Sequence, residues 1–332
     1  MTNSAMNQHP SAWREALGSL PADVTAAPAQ LARWLLDREG GQRLEEGRRY
    51  FAYMKLLRET FQAIAEVFDQ WAPPGSEGSK QHLRFTGPDE MLVLAHFLYW
   101  LSETGVDGCL LECGCAHGYS SCCLSHACAM LGRTLFVADS FQGLPIPRSD
   151  QNFFREGDYS AGRSEVAGHV RLLGRPDAVR YVEGWYKDTL RQWKEPIALL
   201  WMDVDLYESA CDVMAGAYGA LDRRGIIATH EFTDFHGQVH PRGKLSVPEA
   251  IYRKLEQEGR TFHSTLITRY FGAVAFEPAT PIESPLFALA LNVELARLDT
   301  RSRRYEELSH SRTVRTAFGL KRLLWPFGGR SA

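Results

Sequence analysis

Four groups of residues in this chain have types and spacing suited to chemistry: Glu112-x-Gly114-x-x-x-Gly118, Asp139, the pair Asp203 and Asp205, and the pair His230 and Glu231. Glycines at 114 and 118 let the backbone turn sharply and present bare amides to a ligand, with Tyr119 and Ser120 opening the helix that follows. Asp139 ends the next apolar run, Leu135 to Ala138, where a carboxylate can accept hydrogen bonds from both hydroxyls of a ribose. Together these residues describe a site for a nucleotide-like cofactor whose ribose is unphosphorylated.

The spacing separates two cofactor classes. A dinucleotide site wants G-x-G-x-x-G, so that a helix N-terminus can hold a pyrophosphate. This chain has one glycine fewer, and Glu112 leads the turn. A carboxylate there repels a pyrophosphate and suits a cofactor carrying an ammonium group, such as the methionine end of S-adenosylmethionine. The bland alternative is a structural turn, which the placement of Asp139 disfavours.

The elements that must position these residues alternate along the chain. Leu110 to Glu112 reads as a strand and the stretch to Leu131 as a helix; strands follow near 134–139 and at Val179–Glu183. The run Ile197 to Met202 is apolar throughout, as for a strand buried on both faces of a parallel sheet, and it ends in Asp203 and Asp205. A helix over about 209–221 leads to a fifth strand, Ile226 to Thr229, ending at His230 and Glu231. A helix over 248–258 and two strands, 261–268 and 269–276, complete the series, the last two close enough to pair antiparallel. This predicts an α/β fold: a doubly wound, mostly parallel, seven-stranded Rossmann-like sheet with an antiparallel edge strand. Polar residues gather at strand ends, on the edge where such sheets bind ligands.

Around this core, apolar residues recur at helical spacing from Phe51 to Val67, predicting amphipathic helices that cover the site or a second copy of the chain, as in a homo-oligomer. Thr86 or Asp89 could cap a helix running to Leu101, and the polar stretch from Ser140 to Gly168 reads as a lid or binding loop. Three segments are expected: an N-terminal tail and helical cap over 1–85, the cofactor domain over 86–278, and a helical basic extension over 279–332.

Composition narrows the partners. A net charge of −3 with mixed signs argues against nucleic acid as an obligatory partner. Six of the seven cysteines crowd between Cys109 and Cys128, a poor disulfide framework, and they lack C-x-x-C zinc spacing. Small buried residues in a reducing cytoplasm are expected. No stretch approaches the ~20 apolar residues of a membrane span.

The motifs Glu112-Cys-Gly114, Ala138-Asp139-Ser140-Phe141-Gln142-Gly143-Leu144-Pro145, Gly184-Trp185-Tyr186-Lys187-Asp188-Thr189-Leu190 and Met202-Asp203-Val204-Asp205-Leu206-Tyr207-Glu208-Ser209 together resemble the macrocin-type sugar O-methyltransferases. The resemblance covers about 86–276. It implies S-adenosylmethionine as cofactor, usually with Mg²⁺, and a sugar-containing small molecule or glycan as acceptor. It further implies that Glu112, Gly114 and Asp139 hold the cofactor, that Ser140 and Phe141 lie beside the adenosine, and that Gly184 and Trp185 lie near the adenine. Asp203 would be a metal ligand at the cofactor's edge and Asp205 the general base. The family's other two ligands are consecutive aspartates, and this chain has His230 and Glu231 there. A histidine suits Mg²⁺ poorly and Mn²⁺ or Zn²⁺ better. Two forms stay open: a metal-assisted enzyme with Asp203, His230 and Glu231 as ligands, or a metal-free one in which His230 takes the proton. The two changes at consecutive ligand positions tilt the expectation to the metal-free form. Rival readings are a catechol-type O-methyltransferase and a non-catalytic cofactor-binding scaffold.

Beyond the resemblance, the tail alternates Arg312, Arg315, Lys321 and Arg322 with Phe318, Leu323, Leu324, Trp325 and Phe327. Such a basic amphipathic segment can lie at the inner face of an anionic membrane or dock on the protein itself.

Overall fold

The structure is a computed structural model that describes residues 41–76, 82–151, 153–234, 237–268 and 270–275. Its elements are α1 (Gly41–Trp71), α2 (Pro88–Glu103), β1 (Cys109–Cys113), α3 (Tyr119–Met130), β2 (Leu135–Asp139), α4 (Arg163–Leu173), β3 (Val179–Glu183), α5 (Tyr186–Thr189), β4 (Ile197–Met202), α6 (Tyr207–Ala217), β5 (Leu221–Thr229), α7 (Val247–Gln257), β6 (His263–Leu266) and β7 (Gly272–Ala275).

The strands form one seven-stranded sheet in the order β3-β2-β1-β4-β5-β7-β6. The first five are parallel, and β7 runs antiparallel to both β5 and β6. The chain therefore winds outward from β1 through β2 to β3, then crosses to the other side of β1 for β4 and β5. That reversal opens a crevice at the carboxyl ends of β1 and β4. Register decides what lies there. Cys113 is level with Ala138 and Met202, and Met202 with Thr229, so the next residue of each strand, Gly114, Asp139, Asp203 and His230, falls on one edge.

Both faces of the sheet are covered. Every residue of β1 and β4 is buried, which explains the uninterrupted apolar sequence of β4; in β1 the buried run includes the charged Glu112. Leu199 and Trp201 face a core shared with α1, α2 and α3, whereas Leu200 and Met202 face one shared with α6 and α7. The predicted helical stripe appears in α1, where Met54, Leu57, Phe61 and Ile64 are buried in the first of these cores; Val67 is half-buried, and Phe68 packs there instead. The N-terminal helix is thus packed into the same core as the sheet.

Some local expectations change. Neither Thr86 nor Asp89 caps α2; Gly87 occupies the cap, and the Glu90 carboxylate accepts its backbone N–H at 2.9 Å. The predicted 140–168 loop ends earlier, because α4 begins at Arg163. Strand β5 begins at Leu221, ahead of Gly225, and α6 stops at Ala217. All seven cysteines are free and six are buried, in keeping with a packing role. The helical basic extension expected over 279–332 lies outside the described residues.

Candidate active site

The crevice widens into a cleft of about 1040 Å³, counted to its open mouth, which runs from the β1 turn to the end of β5. Its two ends differ in chemistry.

At the first end, Gly114, Cys115 and Ala116 form the turn after β1 and line the cleft. Gly114 has φ 87°, and a Cβ there would collide with the carbonyl of Asp203, so only glycine lets the β1 and β4 ends meet. Gly118, at φ 85°, caps α3 from behind the wall, against the Val166 side chain. The Asp139 carboxylate is fixed by two backbone amides: Cys115 N–H donates to Oδ2 at 2.8 Å and Phe141 N–H to Oδ1 at 2.7 Å. Burial raises the Asp139 pKa and these donors counter it. Each oxygen keeps a lone pair for a ligand hydroxyl.

Glu112 is fully buried within β1. Ser121 Oγ donates to its Oε2 at 2.6 Å, and Oε1 has no hydrogen-bond partner. Burial pushes its pKa up to about 8; Ser120 and Ser121 oppose the shift, and the charges of Asp203 and Asp139 reinforce it. A buried carboxylate with an orphaned oxygen is the complement of a cation donor and fits the ammonium group of a methionine-like ligand. Glu112 itself does not line the cleft; Tyr119, Ser120, Ser140, Gly184 and Trp185 line this end. Phe141 does not: its backbone takes φ 55° to deliver the amide to Asp139, and its ring packs inward near Tyr181.

The second end is acidic. Asp203 and Asp205 follow β4 and line the cleft with His230. One ligand-type atom each from Asp203, His230 and Glu231 lies within 4.8 Å of the others. His230 Nδ1 stands 3.8 Å from Asp203 Oδ1. Thr229 Oγ1 donates to Glu231 Oε2 at 2.8 Å, and Glu231 Oε1 is buried without a partner. Burial drives the Glu231 pKa well up, and the negative Asp203 and Asp205 add to it. Two carboxylates and an imidazole within 4.8 Å, with the charge of Asp205 nearby, are relieved by a proton or by a divalent cation. The mixed oxygen and nitrogen donors suit a cation that tolerates nitrogen.

Sequence reasoning missed several lining residues. Arg84 and Phe85 precede α2, and Tyr159 comes from the long loop after β2. Phe85 and Tyr159 meet edge to face at 4.8 Å. Arg84 is held by Asp69 of α1 through two hydrogen bonds of 2.7 Å. The loop length suggested a lid or binding loop, but nothing in its composition singled out Tyr159.

Residues 53–240 match the macrocin-O-methyltransferase (TylF) family over more than half of the chain. The chain belongs to that family. It is an O-methyltransferase, and its cofactor is S-adenosylmethionine. Among similar proteins, this methyltransferase is 30% identical over 172 residues to mycinamicin III 3''-O-methyltransferase of Micromonospora griseorubida, covering 43% of this chain and 67% of that one. It is 29% identical over 188 residues to the 8-demethyl-8-(2,3-dimethoxy-alpha-L-rhamnosyl)-tetracenomycin-C 4'-O-methyltransferase of Streptomyces olivaceus, covering 49% and 72% of the two chains. The O-methyltransferase NovP has the same fold, with a TM-score of 0.55 at 19% identity over 68% of this chain and 98% of its own.

Proposed function

We propose that this methyltransferase transfers the methyl group of S-adenosylmethionine to a hydroxyl of a sugar carried by a small molecule. The observation that carries the reading is one cleft lined by Asp139 at one end and by Asp203, Asp205 and His230 at the other, with Glu112 and its orphaned oxygen buried in β1 behind the lining. Two similar enzymes are named for methylating mycinamicin III and a rhamnosyl-tetracenomycin, which supports a glycosylated acceptor.

A sulfonium methyl is already activated, so the protein has to align the acceptor oxygen with it and receive the proton. Asp139 takes the ribose hydroxyls, and Glu112 pairs with the ammonium group through Ser120 and the β1 turn. Asp205 is assigned as the proton acceptor: it lines the acceptor end, and its neighbour Asp203 belongs to the ligand cluster. Asp203, His230 and Glu231 would hold a divalent cation, which when bound lowers the pKa of an acceptor hydroxyl. The crowding of carboxylates around Glu231 weighs for this form over the metal-free one favoured by the sequence.

The test is incubation of the full chain with S-adenosylmethionine and a panel of glycosylated natural products, nucleotide sugars and catechols, before and after EDTA. Methylation of a sugar hydroxyl that stops in EDTA and returns with Mn²⁺ is expected. Transfer to catechols alone would refute the sugar reading, and activity indifferent to EDTA would hand the proton to His230 without a metal.

A further inference from the structure

Glu90 sits in the first turn of α2, outside the four sequence motifs, yet its carboxylate faces the imidazole of His230. Its Oε2 is 3.8 Å from His230 Nε2, a nitrogen that is buried and has no hydrogen-bond partner. The carboxylate is immobilised from two sides: Gly87 N–H donates to Oε2 at 2.9 Å, and Thr268 Oγ1, from the turn between β6 and β7, donates to Oε1 at 2.7 Å. On its far side the same imidazole presents Nδ1 to Asp203 at 3.8 Å, with the Tyr270 ring at 5.8 Å alongside. The ring therefore lies between two carboxylates, only one of which belongs to the ligand cluster.

A neutral imidazole carries one proton, and where it sits decides which nitrogen can bind a cation. Histidines that bind metals generally donate the other ring N–H to a carboxylate or carbonyl, which fixes the tautomer and orients the ring. We propose that Glu90 is the positioning residue of the site: it accepts the Nε2 proton of His230 and thereby turns the Nδ1 lone pair toward Asp203 and Glu231. The inference rests on the reading of those three residues as cation ligands. The proposal requires the 3.8 Å separation to shorten to a hydrogen bond when the site is filled, as contacts of this kind commonly do in enzymes. The arrangement also accounts for a histidine at an otherwise carboxylate site: a cap residue of the neighbouring helix supplies the acid that a histidine ligand needs behind it.

Two measurements on the full-length chain test this separately. Proton-detected nitrogen spectra of the imidazoles, with His230 assigned by its loss in His230→Gln, read the tautomer in the absence of metal. The expected result is a proton on Nε2 in the wild type and a mixed or reversed tautomer in Glu90→Met, which removes the acceptor. Titration calorimetry with Mn²⁺ should show affinity lowered roughly 10–100-fold in Glu90→Met and by less in Glu90→Gln, whose amide oxygen can still accept from Nε2 without the negative charge. Because glutamine preserves the capping arrangement of α2, S-adenosylmethionine affinity within about twofold of wild type in Glu90→Gln would show that the fold is intact. A proton on Nδ1 in the wild type, or Mn²⁺ affinity unchanged in both variants, would overturn the proposal. If the wild type binds no Mn²⁺, the cation reading fails, and the tautomer spectra alone then decide the role of Glu90.

Discussion

Asp205 has a left-handed backbone, φ 59°, which is uncommon for a residue other than glycine, asparagine or aspartate. Asparagine accepts that conformation, so Asp205→Asn tests the proton acceptor with little strain. Turnover should fall roughly 10²–10⁴-fold while calorimetric affinity for S-adenosylmethionine stays unchanged. Asp139→Ala acts at the other end: loss of its charge-assisted hydrogen bonds should weaken the cofactor by about 1.5–3 kcal/mol in the same titration. Glu112 makes a pH prediction. Its pKa in the folded, empty protein is raised to about 8 from an ordinary carboxylate value, so the folded state binds a proton that the unfolded state releases. Stability of the cofactor-free protein should therefore decline as pH rises from about 4.5 to 8, with Glu231 contributing in the same direction. Glu112→Gln should flatten that decline in urea denaturation at several pH values, while weakening cofactor affinity. An unchanged slope would show that Glu112 is not the buried acid responsible.

Among the elements, the turn after β1 governs both halves of the cleft. Gly114 touches the Asp203 carbonyl, so the cofactor turn and the acidic end share one backbone contact. Gly114→Ala meets both a positive φ and this contact. It should cost more than about 1 kcal/mol of stability, and it should lower cofactor affinity and turnover together. Chemical denaturation and single-turnover assays read the two effects; loss of cofactor affinity alone would mean that β4 does not move with the turn.

For the molecule as a whole, the question is which segments the cofactor domain can lose. Phe61 of α1 is fully buried in the core that also contains Leu94, Leu98 and Trp201. Phe61→Ala should therefore destabilise the whole protein by about 3–5 kcal/mol in a single unfolding transition. A separate early transition would instead show α1 to be a detachable cap. Deletion of 311–332 is expected to leave fold and cofactor affinity intact, by circular dichroism and calorimetry, and to reduce association with anionic liposomes or a partner. No described helix is long and apolar enough to cross a membrane.

The sheet and the residues at its edge were legible in the chain alone. The apolar run of β4 announces burial on both faces, and parallel strands bring their carboxyl ends to one side, so Gly114, Asp139, Asp203 and His230 group together on sequence pattern. Spacing along the chain also located the glycine turn after β1, because glycine positions are a local requirement. Packing in three dimensions supplied the rest. Glu90 and His230 are far apart in sequence and meet because α2 packs beside the end of β5. Tyr159 joins the cleft through a loop whose path no periodicity records. Glu112 looked like a charged residue leading a turn, and its orphaned oxygen and raised pKa arise from complete burial. Local backbone chemistry is written in neighbouring residues, whereas desolvation and contacts between distant side chains exist only once the layers have packed.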